Sequence, residues 1–341
     1  MYKKYLDKGI WKSPKILRNR EELEKILNKS TPKPIHVTID PIEICNQSCI
    51  FCYYHGRKSN VMKNSSFNGK GIFPYDRLLT LIDELKEAGT EAIAFTGTGE
   101  TLLYKNIYNI FQKIIDNGME YGLTTNLSKN LTNSQINVLS KASWIRCSLN
   151  AGTSKTYKKI HRMDCFNMVL DNIKALPNIN ISFAYLKENI DEIVEATKLA
   201  KRIGANSITF RPEMTFSGNK KEKGIDKRID DARTYESEHF KVYKAYDYLS
   251  INEDLLCYYS NHVAYIDAYG DVYPCCVTKF DKRYTYGNIL NRNFKEFWYS
   301  KERKENYKKL DMKTCPPCTH HADNSILEML YNKDITYNKF I

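Results

Sequence analysis

A chain of 341 residues, 42% of them hydrophobic, can bury a full core and has room for one large domain and a smaller one. No apolar run reaches spanning length, and the opening MYKKYLDKGIWKSPK has no apolar stretch of signal-peptide type, so neither a membrane protein nor an exported one is expected. The net charge of +12 is spread among Asn, Ile and Tyr and comes with no recognised nucleic-acid module, which argues against nucleic-acid binding but is compatible with a phosphorylated or acidic small substrate.

After a polar N-terminal extension (1–34), PIHVTIDPIEI reads as a β-branched strand that delivers the chain into Cys45. Strand-like and helix-like segments then alternate. YDRLLTLIDELKEAG is a helix closed by Gly89 and followed by the strand EAIAFTG; IYNIFQKIIDNG is a helix closed by Gly118 and followed by EYGLTTN. The strand WIRCSLN, a helical stretch from SKTYKKIH to MVLDNIKAL, the strand INISFAYL, the helix IDEIVEATKLAKRIG and the strand SITFRPE complete the series. Six strands joined by helices predict an α/β fold over 35–213, a parallel sheet that is either open or a partial barrel. Such sheets carry their chemistry at the carboxyl ends of the strands, where Cys45, the TGTGE segment, Asn126, Asn150 and Arg211 fall. The charged stretch within 214–250 reads as a surface linker or exposed helix. From 251 to 341 the pattern changes to short strands and more cysteines, with a hairpin expected at AYIDAYGDVYPCC.

Ten cysteines in a reducing, cytoplasmic setting need a reason other than disulfides. Cys45, Cys49 and Cys52 crowd three thiols into eight positions. Three thiolates on a short loop can hold three irons of a 4Fe-4S cluster and leave the fourth iron open to a substrate or cofactor; a zinc knuckle or isolated buried thiols are the plainer alternatives. The C-x3-C-x-aromatic-C arrangement, with Phe51 as the aromatic, resembles the hallmark of the radical S-adenosylmethionine (radical SAM) superfamily. That resemblance implies a partial (β/α)6 TIM-like barrel, S-adenosylmethionine on the open iron, and its reductive cleavage to a 5'-deoxyadenosyl radical that abstracts a substrate hydrogen. GTGET, Gly97 to Thr101, is similar to the family's Gly-Gly-Glu-Pro motif, with Thr98 in place of a glycine and Thr101 in place of the proline; Gly97 and Gly99 would allow close backbone approach and Glu100 would accept from the methionyl ammonium. The resemblance also implies a ribose-contacting role for Ser148 and Asn150, an Arg211 pair with the methionyl carboxylate, and a pocket place for Asn126. Strand-end polar residues of this kind also cap helices and satisfy loops.

The C-terminal cysteines are Cys257, Cys275, Cys276, Cys315 and Cys318. The spacing of Cys257, Gly270 and Cys275, together with GDVYPC, YGNI and the Cys315/Cys318 pair, resembles the SPASM and twitch modules of radical SAM enzymes, which implies a small α+β iron-sulfur domain. Cys257, Cys275, Cys315 and Cys318 would close one auxiliary 4Fe-4S cluster suited to electron transfer, and since no cysteine follows Cys318 a twitch-type domain with one such cluster is expected. A thioredoxin-like CPPC pair and a structural zinc site are the competing readings. Cys276 is spare, either a packing thiol or a hydrogen-atom donor; Cys147 and Cys165 look structural, and His320 and His321 look like helix-start residues.

The expected activity is hydrogen abstraction followed by oxidation or epimerisation of a sugar, cyclitol or nucleotide-sugar, because the spacing is similar to that of a cyclitol-oxidising radical SAM dehydrogenase. A ribosomally made peptide, epimerised or crosslinked by a maturase, is the alternative, disfavoured by the 34 residues before the first strand, too few for a folded peptide-recognition domain. A tRNA-modifying radical enzyme and a non-catalytic zinc or nucleic-acid-binding protein are more remote. A flavodoxin- or ferredoxin-type protein is the expected electron donor.

Overall fold

The computed structural model describes residues 20–27, 31–55, 67–213, 224–245, 256–316, 318 and 320–331. Its strands are β1 (His36–Ile39), β2 (Ala92–Phe95), β3 (Glu120–Thr125), β4 (Trp144–Ser148), β5 (Ile179–Tyr185), β6 (Ser207–Pro212), β7 (Lys241–Lys244), β8 (Val263–Ile266), β9 (Asp271–Tyr273) and β10 (Gly287–Asn288). The helices are α1 (Arg20–Leu27), α2 (Tyr75–Glu87), α3 (Ile107–Asp116), α4 (Asn133–Leu139), α5 (Ser154–His161), α6 (Phe166–Ala175), α7 (Ile193–Arg202), α8 (Ile225–Arg233), α9 (Phe294–Tyr299), α10 (Lys301–Lys308) and α11 (His321–Tyr331).

One sheet contains all ten strands in the order β10-β9-β8-β1-β2-β3-β4-β5-β6-β7. The six expected strands form its centre, all parallel. The sheet runs past both expected boundaries. β7, inside the stretch read as a linker, pairs parallel with β6, and β8, assigned to the C-terminal domain, pairs parallel with β1. The central part of that stretch also forms α8, as expected; 214–223 and 246–250 lie outside the described residues, as does 1–19 of the N-terminal extension. The helix expected between SKTYKKIH and MVLDNIKAL is two helices, separated at Arg162, which adopts a left-handed conformation (φ 56°). No described helix is long and apolar enough to cross a membrane.

Register explains how the two faces of the sheet differ. Because side chains alternate along a strand, Val37, Ile93 and Tyr121 share one face with Cys147, Ile181, Ile208 and Val242, all buried against the helices. The other face carries Thr124, Arg146, Asn180 and Ser207 in one row and Ser148, Ser182 and Thr209 in the next. Ser148, Ser182 and Thr209 put little bulk on that face toward the carboxyl ends of β4 to β6. Gly122 belongs to this inner face because the Trp144 indole on the next strand comes within 2.2 Å of where its Cβ would be.

The C-terminal module is fixed to the outside by buried polar contacts. Arg77 on α2 pairs with Glu84 at 2.8 Å and donates to the carbonyls of Ile289, Leu290 and Arg292, while Glu84 accepts from Phe294 N. The Trp298 indole donates to the Pro32 carbonyl, and the Arg303 guanidinium lies 4.0 Å from the Trp298 ring.

The expected hairpin is β8–β9. Asp267 Oδ1 accepts from Tyr269 N and Asp271 N, whereas Oδ2 is buried without a hydrogen-bond partner. Burial, with Asp271 nearby, pushes this carboxyl from its ordinary 3.8 to about 7. The folded chain therefore holds a proton that the unfolded chain releases, and stability is lost as pH rises from about 4 to about 7. Asp267→Asn keeps the accepting oxygen and removes the charge. Denaturation of parent and variant is expected to agree at pH 4 and to diverge in the variant's favour by pH 8, by no more than roughly 4 kcal/mol. An equal difference at both pH values would show that the Asp267 charge is not the cause.

Candidate functional site: two thiol sets joined through a half-buried lysine

β1 ends in Asp40, and the chain turns into the first cysteine loop. Glu43 holds that turn: its Oε2 accepts from the backbone N–H groups of Asn68, Gly69, Lys70 and Gly71 and from the Tyr269 hydroxyl. Cys45, Cys49 and Cys52 are free and half-buried. Burial pushes the Cys45 thiol up to about 11 and Cys49 higher still, with the neighbouring thiols adding to both. Two of the sulfurs nonetheless meet an N–H: Cys45 faces Gln47 N (3.5 Å) and Asn126 Nδ2 (3.9 Å), and Cys52 faces His55 N (3.4 Å); Cys49 lies 3.2 Å from His161 Nδ1. Phe51 packs its edge against the His161 ring.

The GTGE segment lies directly on this loop. A Cβ on Gly97 would sit 1.9 Å from the Asp40 carboxylate, and one on Gly99 would sit 2.3 Å from the Ile42 carbonyl oxygen, so close approach requires both glycines. Thr98 N and Oγ1 donate to Asp40 Oδ2 at 2.9 and 2.8 Å, which gives the non-glycine residue at this position a structural use. Glu100 is buried, and burial raises its pKa against several hydrogen bonds. Oε1 accepts from Leu102 N and Thr125 Oγ1, and Oε2 from Asn126 N. Glu100 thus braces the ends of β2 and β3, and any contact with a bound ammonium must use the remaining acceptor capacity.

Asn126 is buried and donates to Asn46 Oδ1 at 2.9 Å, which holds the cysteine loop against the end of β3. Ser148 is half-buried on the inner face, with Arg211 farther along that face on β6. Asn150 departs from the expectation of a ribose contact. It lies beyond the end of β4 with φ 52°, is fully buried, accepts from Ala184 N through Oδ1 and turns Nδ2 toward His161 Nε2. Its carboxamide supports the loop wall from inside the protein.

Cys257, Cys275, Cys315 and Cys318 line one cavity with Pro274 and Tyr284. Burial raises all four thiols, Cys315 to about 12 and Cys318 to about 11, and neighbouring thiols add to the effect in Cys275, Cys315 and Cys318. Among the described residues no three His, Cys, Asp or Glu side chains form a group able to hold a single metal ion. Clustered thiols whose protons are hard to remove suit a polynuclear cationic centre, which stabilises thiolates on binding. His320 precedes α11 and His321 begins it, as expected; His320 N donates to Cys318 Sγ, and its ring stacks on Tyr259. Cys147 and Cys165 are buried, also as expected.

Cys276 is different. It is absent from the four-thiol cavity wall and is exposed. Against the effect of burial, the His320 ring and the Lys279 ammonium hold its thiol below the ordinary value. Lys279 lies 4.9 Å from the ring centres of both Tyr54 and Tyr265 and donates to the Tyr265 hydroxyl at 3.1 Å, which in turn donates to Asp40 Oδ2 at 2.8 Å. Tyr54 follows the first thiol set and Lys279 follows Cys275 of the second, so this contact joins the two loops. Asp40, Lys279, Tyr265 and His161 were not singled out from the sequence; only Asp40, a carboxylate at a strand end, carried a local signal.

Residues 39–200 match the family model of the radical SAM superfamily, and residues 257–320 match that of the SPASM iron-sulfur cluster-binding domain. The chain belongs to the radical SAM superfamily. Its cofactors are S-adenosylmethionine and two iron-sulfur clusters. Similar curated proteins include probable GTP 3',8-cyclases of Saccharolobus islandicus (26% identical over 173 residues, 48% of this chain and 52% of the relative) and Metallosphaera sedula (26% over 176 residues, 48% and 51%). The chain spans about half the length of the curated relatives it matches. Streptococcus suis SuiB bound to S-adenosylmethionine shares the fold, with a TM-score of 0.62 at 17% identity over 84% of this chain and 70% of that one. SuiB bound to precursor peptide SuiA gives 0.63 at 16% identity over 87% and 71%.

If the two sets each hold a 4Fe-4S cluster, anaerobically purified protein is expected to contain about eight irons per chain. Replacing Cys45, Cys49 and Cys52 with alanine, or Cys315 and Cys318 with alanine, is expected to leave about four. Stoichiometric zinc with little iron, even after reconstitution, would refute the ligand assignment.

Proposed function

We propose that the chain is a radical SAM epimerase acting on a sugar-bearing, anionic small molecule, with Cys276 as the hydrogen-atom donor. Cys45, Cys49 and Cys52 would hold the cluster that binds S-adenosylmethionine, against Glu100, Ser148 and Arg211. Cys257, Cys275, Cys315 and Cys318 would hold the auxiliary cluster. When bound, the cofactors supply a 5'-deoxyadenosyl radical.

The observation that carries this reading is the position of Cys276: an exposed thiol outside the four-thiol cavity, in the loop that contacts Tyr54. A packing cysteine would be covered. In the proposed reaction the substrate C–H bond breaks and its hydrogen atom goes to deoxyadenosine. The Cys276 S–H bond then breaks to form a new C–H bond on the opposite face of the carbon. One electron, supplied by a flavodoxin- or ferredoxin-type donor in the cytoplasm, and one proton would return the sulfur to a thiol. Lys279 supplies a positive charge beside the donor, which favours a phosphate- or carboxylate-bearing substrate. The similar curated proteins are named for GTP, a phosphorylated, ribose-bearing molecule of that class.

The test is anaerobic turnover in D2O over a panel of nucleotides, nucleotide-sugars and sugar phosphates, with peptides as a second panel. One deuterium at an inverted carbon is expected in the parent, since S–H exchanges with solvent. Cys276→Ala is expected to keep forming deoxyadenosine while losing at least about 100-fold in inverted product. Unchanged inversion in Cys276→Ala would refute the donor role. Net oxidation without deuterium gain would replace epimerisation by dehydrogenation, and turnover confined to peptides would replace the substrate class.

A further inference from the structure

We propose that His161 is a positioning residue that donates a hydrogen bond from Nδ1 to Cys49 Sγ and thereby raises the reduction potential of the cluster held by Cys45, Cys49 and Cys52. The inference rests on the assignment of those three thiols as ligands. Cys45 and Cys52 meet backbone N–H groups of their own loop, Cys45 with Asn126 Nδ2 more distant at 3.9 Å, whereas Cys49 meets a side chain 112 residues away at 3.2 Å.

The ring is held from every side. It ends α5, stacks on Tyr157 (centroids 4.2 Å, 25°) and meets the edge of Phe51. Gln47 joins this frame, donating from Nε2 to the Tyr157 hydroxyl at 2.9 Å and presenting Oε1 to His161 Nδ1 at 2.8 Å. Ile50 N donates to the Ile160 carbonyl at 2.9 Å, so the cysteine loop is docked on the end of α5 by its backbone as well.

Two groups able to accept face Nδ1, the Gln47 carbonyl and the Cys49 sulfur, which favours the ring proton on that nitrogen. Nε2 is then an acceptor, and the Asn150 carboxamide, oriented by its bond from Ala184 N, points Nδ2 at it from 3.5 Å. The Leu149 carbonyl, 3.0 Å from Nε2, favours the other tautomer. A metal-bound thiolate decides between them, because it accepts only and a charge-assisted hydrogen bond is the stronger. Donation to a ligand sulfur stabilises the reduced, more negative cluster and so raises its potential.

The test is redox titration of the anaerobic holoprotein, read by electron paramagnetic resonance, in the parent, His161→Leu and His161→Asn. His161→Leu is expected to shift the first cluster's midpoint to more negative potential with iron content unchanged and the auxiliary midpoint unmoved. His161→Asn, which returns an N–H near the position of Nδ1, is expected to restore the parent midpoint. An unmoved first midpoint in an iron-replete His161→Leu protein would overturn the proposal, since a merely structural ring would leave the potential alone. Should His161→Leu fail to load, the decision passes to a protein with Cys315 and Cys318 replaced by alanine and its histidines labelled with 15N in the ring only. A 15N coupling to the reduced cluster supports the bond and its absence overturns it. Full iron retention in the Cys45/Cys49/Cys52 triple alanine variant would instead place the failure in the ligand assignment.

Discussion

The arrangement of the site depends on the Asp40 carboxylate. Removing a carboxylate from water is costly unless other donors replace the water, and Asp40 is almost fully buried. Three donors converge on its Oδ2: Thr98 N, Thr98 Oγ1 and the Tyr265 hydroxyl. They come from the turn after β2 and from β8, so satisfying one charge at the end of β1 fixes three segments in place. Burial still raises the Asp40 pKa, with the nearby Lys279 ammonium as the largest opposing influence. Gly97 is part of the same constraint, since any side chain there would occupy the carboxylate's position. Through the Tyr265 hydroxyl the chain of contacts reaches Lys279, and a polar network thus connects the barrel to the cysteine-bearing loop of the C-terminal module.

The two thiol sets share an electrostatic character. At Cys45, Cys49, Cys275, Cys315 and Cys318 burial and neighbouring thiols oppose ionisation, so their thiolates become favourable only with the cationic centre present. The loops are otherwise prepared for it. Backbone N–H groups face Cys45, Cys52 and Cys318, and the braces that hold these loops, Glu43 on backbone N–H groups and Asn126 on Asn46, form without metal. Much of the ordering cost of the site is therefore met during folding.

The sequence displayed the parts of this design that are local. The seven ligand candidates were legible from spacing because a cluster loop is short, and the six central strands were legible because buried parallel strands read as apolar runs bounded by helix stops such as Gly89 and Gly118. β7 was hidden: KVYK is four residues long, lies among charges and has only Val242 fully buried, so its strand character comes from pairing with β6. β8 read as part of a separate hairpin because nothing local shows that VAYI also pairs with β1. Asn150 shows the limit of alternation arguments. It follows Ser148 by two positions, yet its left-handed backbone turns the carboxamide into the protein. His161 and Lys279 gave no signal because their partners are far away in the chain, and a histidine or lysine on a helix or loop is by itself commonplace.

Radical chemistry requires walls that do not themselves yield hydrogen atoms, and a donor only where one is wanted. The inner face of the sheet is built on that plan near β4 to β6, where Ser148, Ser182 and Thr209 present strong O–H bonds and little bulk. The weaker S–H bonds are sorted by accessibility: Cys147 points to the helix side and is buried, Cys165 is covered by Tyr157 and Gln47, and seven others fall in the two thiol sets. Cys276 is the one left open, and its loop is pinned to the first cysteine loop by the contacts of Lys279 and Phe280 with Tyr54. The alternation that puts Cys147 outside and Ser148 inside thus has a chemical consequence as well as a packing one: a single-residue register slip in β4 would bring a thiol to the inner face.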